Sequence, residues 1–171
     1  MLVSFSAFLI LGAVPALLIA AAICDAGSFR IPNAFSLALA GLFPLVAVFA
    51  GLPLDVAGLH ALAGAIGLAI GVTLFAFGHV GGGDAKLFAV AALWVGLDDL
   101  FGYALIASLF GGGLAVAILL LRRAPMPALL TGQGWLLRLA DPKSGVPYGV
   151  ALAAAALAVL PQTELFRLAA G

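Results

Sequence analysis

Uncharged apolar runs, several of them long enough to cross a membrane, recur along nearly the whole chain, and they leave few folds open to it. They cover Phe5 to Cys24, Ala34 to Gly51, Leu59 to Phe77, Phe101 to Leu121 and Val146 to Leu160, with a shorter run from Leu87 to Gly96. A helix needs about 20 mostly apolar residues to cross roughly 30 Å of hydrocarbon. The pattern therefore predicts an all-α, polytopic transmembrane helix bundle of about six spans, the fourth one short. Leu87 to Gly96 covers only about half of the hydrocarbon thickness. That span must recruit its flanks, from Asp84 to Leu97, or sit in a thinned or re-entrant position; five spans plus a re-entrant segment is the alternative. Of the 171 residues, 65% are hydrophobic and 8% charged, with a mean hydropathy of +1.31, so no soluble class fits and the lipid bilayer is the expected surrounding. Residues 1–171 are expected to form a single transmembrane domain, because the spans leave no room for a soluble one.

A formal net charge of zero removes the electrostatic case for nucleic acid as a partner, since phosphate binding needs clustered cations. The distribution of charge is more informative. With six spans, the loops after the first, third and fifth hold Arg30, Lys86, Arg122, Arg123, Arg138 and Lys143, and only Arg167 of the 7 basic residues lies opposite. The positive-inside rule then turns those loops to the cytoplasm and both termini away from it. Cys24, the lone cysteine, excludes an internal disulfide, and Cys24, His60 and His79 form no zinc-ligand spacing, so no metal is expected. No Lys or Arg precedes the first apolar run, which reads as a retained helix rather than a cleaved signal. Ile23, where a small residue is needed, argues against a lipoprotein site at Cys24.

Small residues recur within the spans: Gly64, Gly67 and Gly71 in the third and Gly111 to Gly113 in the fifth, a spacing that permits close helix contact. Pro15 and Pro44 read as tolerated kinks. The loop from Arg122 to Gly145 mixes Leu129, Leu130, Trp135, Leu136, Leu137 and Leu139 with Arg138 and Asp141, as an interfacial amphipathic segment does.

Carboxylates cost free energy in apolar surroundings, about 2.5 to 3.5 kcal/mol for Asp at a helix centre on insertion scales, so each one near a span calls for a reason. Asp25 closes the first run, where the negative end of the helix dipole disfavours it. Asp84 opens the fourth, where it serves equally well as an ordinary N-cap. In the predicted orientation both fall at the same membrane face. There, one ionised carboxylate can take a proton from water while a protonated partner polarises a peptide carbonyl. Gly81, Gly82 and Gly83, just before Asp84, lack Cβ atoms and allow a tight turn and the close approach of a substrate backbone. Arg30 and Lys86 either tune the carboxylates or mark the cytoplasmic boundary. Pro32 and Asn33 shape the turn into the second span, Asn33 as its N-cap. Asp98 and Asp99, adjacent on an expected short outer loop, read as solvated, and His79 as an interface residue.

Three segments resemble the type IV prepilin peptidases, and especially the small branch that serves Tad or Flp pili. Asp25 followed by Arg30, Ile31, Pro32 and Asn33 resembles that family's first catalytic-aspartate motif. Gly81, Gly82, Gly83, Asp84, Ala85 and Lys86 are similar to its GxGDxK signature. Val146, Pro147, Tyr148 and Gly149 resemble the segment that opens its last span.

The resemblance implies an aspartic-type endopeptidase in a bacterial or archaeal cytoplasmic membrane, with Asp25 and Asp84 catalytic and Gly81, Gly82, Gly83, Lys86, Arg30, Pro32 and Asn33 shaping the site. It implies no metal and no other cofactor. The partner would be a prepilin, a short basic leader joined to an apolar N-terminal helix and usually cut just after a glycine, with pilus-assembly machinery beside it. Larger members also N-methylate the new terminus through an insert bearing Cys-x-x-Cys pairs. With one cysteine and no such insert, this chain is expected to lack methylation. Two other classes compete: a small proton- or ion-coupled membrane transporter, and a non-catalytic pilus-assembly subunit. The transporter reading expects internal repeats and a midplane site, and the subunit reading leaves Asp25 without a purpose.

Overall fold

The computed structural model describes residues 7–123, 134–142 and 144–170, and no β-strand occurs among them. In chain order the helices are α1 (Leu9–Ser28), α2 (Asn33–Phe49), α3 (Leu54–Ala76), α4 (Gly82–Val95), α5 (Leu97–Arg123), α6 (Gly134–Ala140), α7 (Tyr148–Val159) and α8 (Glu164–Ala170). A tight turn, Leu160–Gln162, extends α7. The molecule is an all-α membrane helix bundle. Helices α1, α3 and α5, with 20, 23 and 27 residues, are long and apolar enough to cross a bilayer, and α2 and α7 are shorter apolar helices.

Several boundaries differ from the charge-free runs, for one reason. Helix α3 begins at Leu54 and takes Asp55 into its first turn; α5 begins at Leu97 and takes in Asp98 and Asp99. The positive end of a helix dipole favours acidic residues, so a search for uncharged sequence starts both helices late. Asp98 and Asp99 thus belong to a helix rather than to a loop. Helix α1 continues past Cys24 to Ser28, so Asp25 lies inside its last turn. Its expected start at Phe5, together with Leu129, Leu130 and Lys143 of the fifth loop, lies outside the described residues. Pro15 follows a widened π-turn, Leu9–Ala13, which accommodates a residue that cannot donate to the regular ladder.

Helix α4 is short, with 14 residues, a rise of about 21 Å. It tolerates this because it is the centre of the bundle: Ala85, Leu87, Ala89, Ala91, Ala92, Trp94 and Val95 are all buried, so protein rather than lipid meets most of its surface. Its closest neighbour is α3. A Cβ at Gly67 would stand 2.9 Å from the Ala92 Cβ, and one at Gly71 would stand 2.9 Å from the Ala85 Cα. The glycine spacing in α3 is thus the surface on which α4 lies, as in other membrane helix pairs built on small residues. In α5 only Gly111 acts this way, with Tyr148 3.5 Å from its would-be Cβ; Gly112 and Gly113 have nothing within 4 Å.

Polar groups fix the register of α4. The Trp94 indole donates to the Leu39 carbonyl of α2 at 3.0 Å, and His60 Nδ1 of α3 lies 2.8 Å from the Leu93 carbonyl. Phe43 meets Trp94 edge-on, with ring centroids 5.5 Å apart. These contacts tie the far end of α4 to α2 and α3 and leave its N-terminus, with Asp84, at the opposite end.

Candidate active site

The site is assembled from three stretches of chain, and the first is the end of α1. There the Phe29 N–H donates to the Asp25 carbonyl at 2.8 Å, with Phe29 in the left-handed region at φ 56°. A side chain other than glycine holds that conformation at a cost of order 1–3 kcal/mol, so surrounding contacts must enforce it. The Ser28 hydroxyl closes the turn by donating to the Cys24 carbonyl at 2.7 Å. The chain then reverses, and Ile31 is buried before Pro32 caps α2 in extended conformation.

The second stretch opens α4. Gly78 supplies the left-handed turn at φ 74°, whereas Gly81 is extended at φ −74°. The glycines before Asp84 do not all serve the same purpose. At Gly83 a Cβ would lie 3.1 Å from the Ile31 Cβ, so the missing side chain lets the end of the α1–α2 turn lie directly on α4. At Gly82 the neighbour is the Phe75 ring of α3, at 3.5 Å. The chain's own Ile31 and Phe75 thus lie against these two glycines. The Asp84 carboxylate, at the third helical position, accepts the Gly81 N–H at 3.0 Å, an N-terminal cap by an acidic side chain.

The third stretch, the start of α7, supplies what Asp25 lacks locally. Asp25 is only 4% exposed, and a carboxylate so placed must find donors. The Gly149 N–H donates to Asp25 Oδ2 at 2.7 Å, and the Val150 N–H faces the same carboxylate. Both belong to the first turn of α7, where helix amides lack the regular intrahelical partner; the Val150 N–H also donates to the Pro147 carbonyl at 3.2 Å. Asp25 therefore sits unfavourably in its own helix and favourably at the N-terminus of another. Gly149 faces Asp84 as well, so one backbone amide adjoins both acids. A side chain there would displace its neighbours: a Cβ would stand 2.8 Å from Asp25 Oδ2 and 2.5 Å from the Ile31 Cδ1.

Asp84 lies close enough for its charge to act on Asp25. Together with Phe29, Arg30, Ile31 and the glycines 81–83 they line one cavity of about 320 Å³. Of the residues singled out by sequence, Asp25, Arg30, Gly81, Gly82, Gly83 and Asp84 are thus brought together. Asn33 and Lys86 meet each other instead: the Lys86 ammonium donates to Asn33 Oδ1 at 2.9 Å, on a neighbouring cavity that excludes both aspartates. This corrects the expectation that Asn33 caps α2. Pro32 occupies the cap position and Asn33 is the first helical residue, which leaves its amide to hold Lys86. Lys86 thereby clasps the start of α4 to the start of α2. Gly149 is the site group that no side-chain pattern reveals, because its contribution is an N–H. Its one sequence signal is the Val146-to-Gly149 segment.

Two carboxylates that line one cavity have the chemistry to hold a water between them and to divide one proton, because acids brought into contact do not ionise together. Among the described residues no group of three or more His, Cys, Asp or Glu side chains gathers elsewhere.

Residues 12–116 match the model of a family described as the type IV leader peptidase family. The matched stretch contains both aspartates and both clasp residues, and stops before Gly149. No curated protein and no solved structure matches the chain.

Proposed function

The chain belongs to the type IV leader peptidase family, and on that premise we propose that it is an aspartyl endopeptidase that removes the leader of Flp-type prepilins at the cytoplasmic membrane face. Membership makes it a protease, and its apolar helices make it a membrane protein. The observation that carries the finer reading is the convergence of Asp25 and Asp84 on one cavity, with the Gly149 amide beside both.

In this reading a water lies between the carboxylates. The ionised one takes a proton from the water as its oxygen attacks the scissile carbonyl carbon, while the protonated one gives its proton to the carbonyl oxygen. Collapse of the tetrahedral diol breaks the C–N bond. The departing amine takes a proton from the first carboxyl, the diol returns one to the second, and the pair is restored. The helix dipoles that meet the two acids steady the charge they share.

The whole chain acts as one transmembrane peptidase domain without a methylation insert, with both termini outside a bacterial or archaeal cytoplasmic membrane. Its substrate presents a short basic leader followed by an apolar helix that lies in the same bilayer. The test is to incubate the purified protein with such a prepilin and weigh the products. A single cut between leader and helix, following a glycine, supports the proposal; an intact prepilin under conditions where the protein remains folded rejects it.

A further inference from the structure

Asp84 lines a second cavity, separate from the one it shares with Asp25. This one, of about 250 Å³, lies between α3, α4, α5 and α7 and is walled by Leu74, Phe88, Tyr148 and Leu152, with Gly112 at one side. The two cavities differ in chemistry. The Asp25 side presents Arg30 and three glycines beside Phe29 and Ile31; the other side is apolar apart from Asp84, the Ser108 hydroxyl and the Tyr148 phenol. Ser108 is already committed, donating to the Ala104 carbonyl at 2.7 Å.

The glycines around this cavity have unequal explanations. Gly71 is required by the backbone of α4 and Gly111 is packed beside Tyr148, but nothing stands within 4 Å of a Cβ at Gly112. Helix packing therefore does not account for a bare position at Gly112, which is exposed and lines the cavity. A peptide held with its scissile carbonyl at the aspartates must send its two sides away from Asp84 in different directions. For a substrate that is polar before the cut and apolar after it, only the apolar side matches this second space.

We infer that the cavity walled by Leu74, Phe88, Tyr148 and Leu152 is the pocket for the first apolar side chain after the scissile bond, and that Gly112 keeps it open. This rests on the peptidase reading above. The occupant is an apolar residue of the substrate's membrane helix, because the cavity is continuous with a carboxylate proposed to act on the bond next to it.

The test uses the full chain in detergent or liposomes and two prepilin peptides that differ only at the residue after the cut, one with Leu there and one with Ala. Wild type should cut the Leu peptide with kcat/KM roughly tenfold above the Ala peptide, as expected for an apolar pocket that is filled or left empty. Gly112→Leu should fill the space and reverse the preference, costing the Leu peptide more than about tenfold while the Ala peptide stays within about twofold. Cutting of the Ala peptide also shows that the variant folds. Gly113→Leu, one position round the same helix and equally unobstructed, should leave both rates unchanged. If Gly112→Leu slows both peptides equally, or neither, the pocket assignment is overturned and the peptidase reading stands. If wild type cuts neither peptide, the peptidase reading itself falls.

Discussion

The molecule carries two pairs of acids, and they are built in opposite ways. Asp98 and Asp99 are neighbours in sequence at the N-terminus of α5, where the dipole of their own helix favours them; Asp98 is exposed and Asp99 half-buried. Asp25 and Asp84 come from different helices and share a cavity, and Asp25 is buried. Local structure accounts for the first pair completely. In the second pair Asp84 caps its own helix, but its meeting with Asp25 comes only through tertiary contacts: Gly83 admits Ile31, Lys86 holds Asn33, and α7 turns its first amides toward a carboxylate that its own helix would repel.

The sharpest way to break this contrast is to neutralise each pair. Asp25→Asn and Asp84→Asn should each reduce prepilin processing by at least about a thousandfold, the scale of acid–base and nucleophile-activating groups. Asp98→Asn and Asp99→Asn should leave processing within about twofold and shift stability by less than about 0.5 kcal/mol. Processing followed by gel shift, normalised to membrane-inserted protein, checks both arms; equal effects from the two pairs would erase the distinction.

Next in size is Gly149→Ala. Its methyl would collide with Asp25 and Ile31, so either the carboxylate or α7 must move, and a displacement of about 1 Å near the chemistry costs on the order of a hundredfold. Activity per folded molecule should fall far more than thermal stability. Gly71→Ala reverses that order. It forces α4 away from α3 by crowding the Ala85 backbone, and overpacking of this kind costs about 1–3 kcal/mol, which a lowered unfolding midpoint in detergent would register. The smallest effect belongs to the clasp. Lys86→Met and Asn33→Ala should each cost about 0.5–1.5 kcal/mol. The double variant should cost little more than either single one, since both remove the same hydrogen bond.

Much of this was legible in the sequence, and the exceptions share a cause. Apolar runs announce spans, and two aspartates at run ends, each beside a distinctive segment, announce a site. The periodic glycines of α3 announce a helix contact, although only the structure says that the partner is α4. Helix starts at Leu54 and Leu97 are hidden because acids that the dipole favours interrupt an apolar run without interrupting a helix. Asn33 before an apolar run reads as a cap, but Pro32 takes that position, and the real partner, Lys86, is distant in sequence. Gly149 is hidden for a deeper reason: what it contributes is a backbone amide, which every residue but proline has, and its place beside Asp25 comes from the packing of α7 against α1. Residue chemistry is written in sequence; the direction in which a helix terminus points is not.

The account stands or falls on whether the two aspartates act as one unit. Initial rates of prepilin cleavage, read by product mass for wild type, Asp25→Asn, Asp84→Asn and the double variant at equal folded concentration, test this directly. Groups that act together lose nearly everything at the first removal, so the double variant should be no slower than either single one. Cleavage surviving in one single variant, or losses that multiply in the double, would mean that the carboxylates work separately or that the chemistry lies elsewhere.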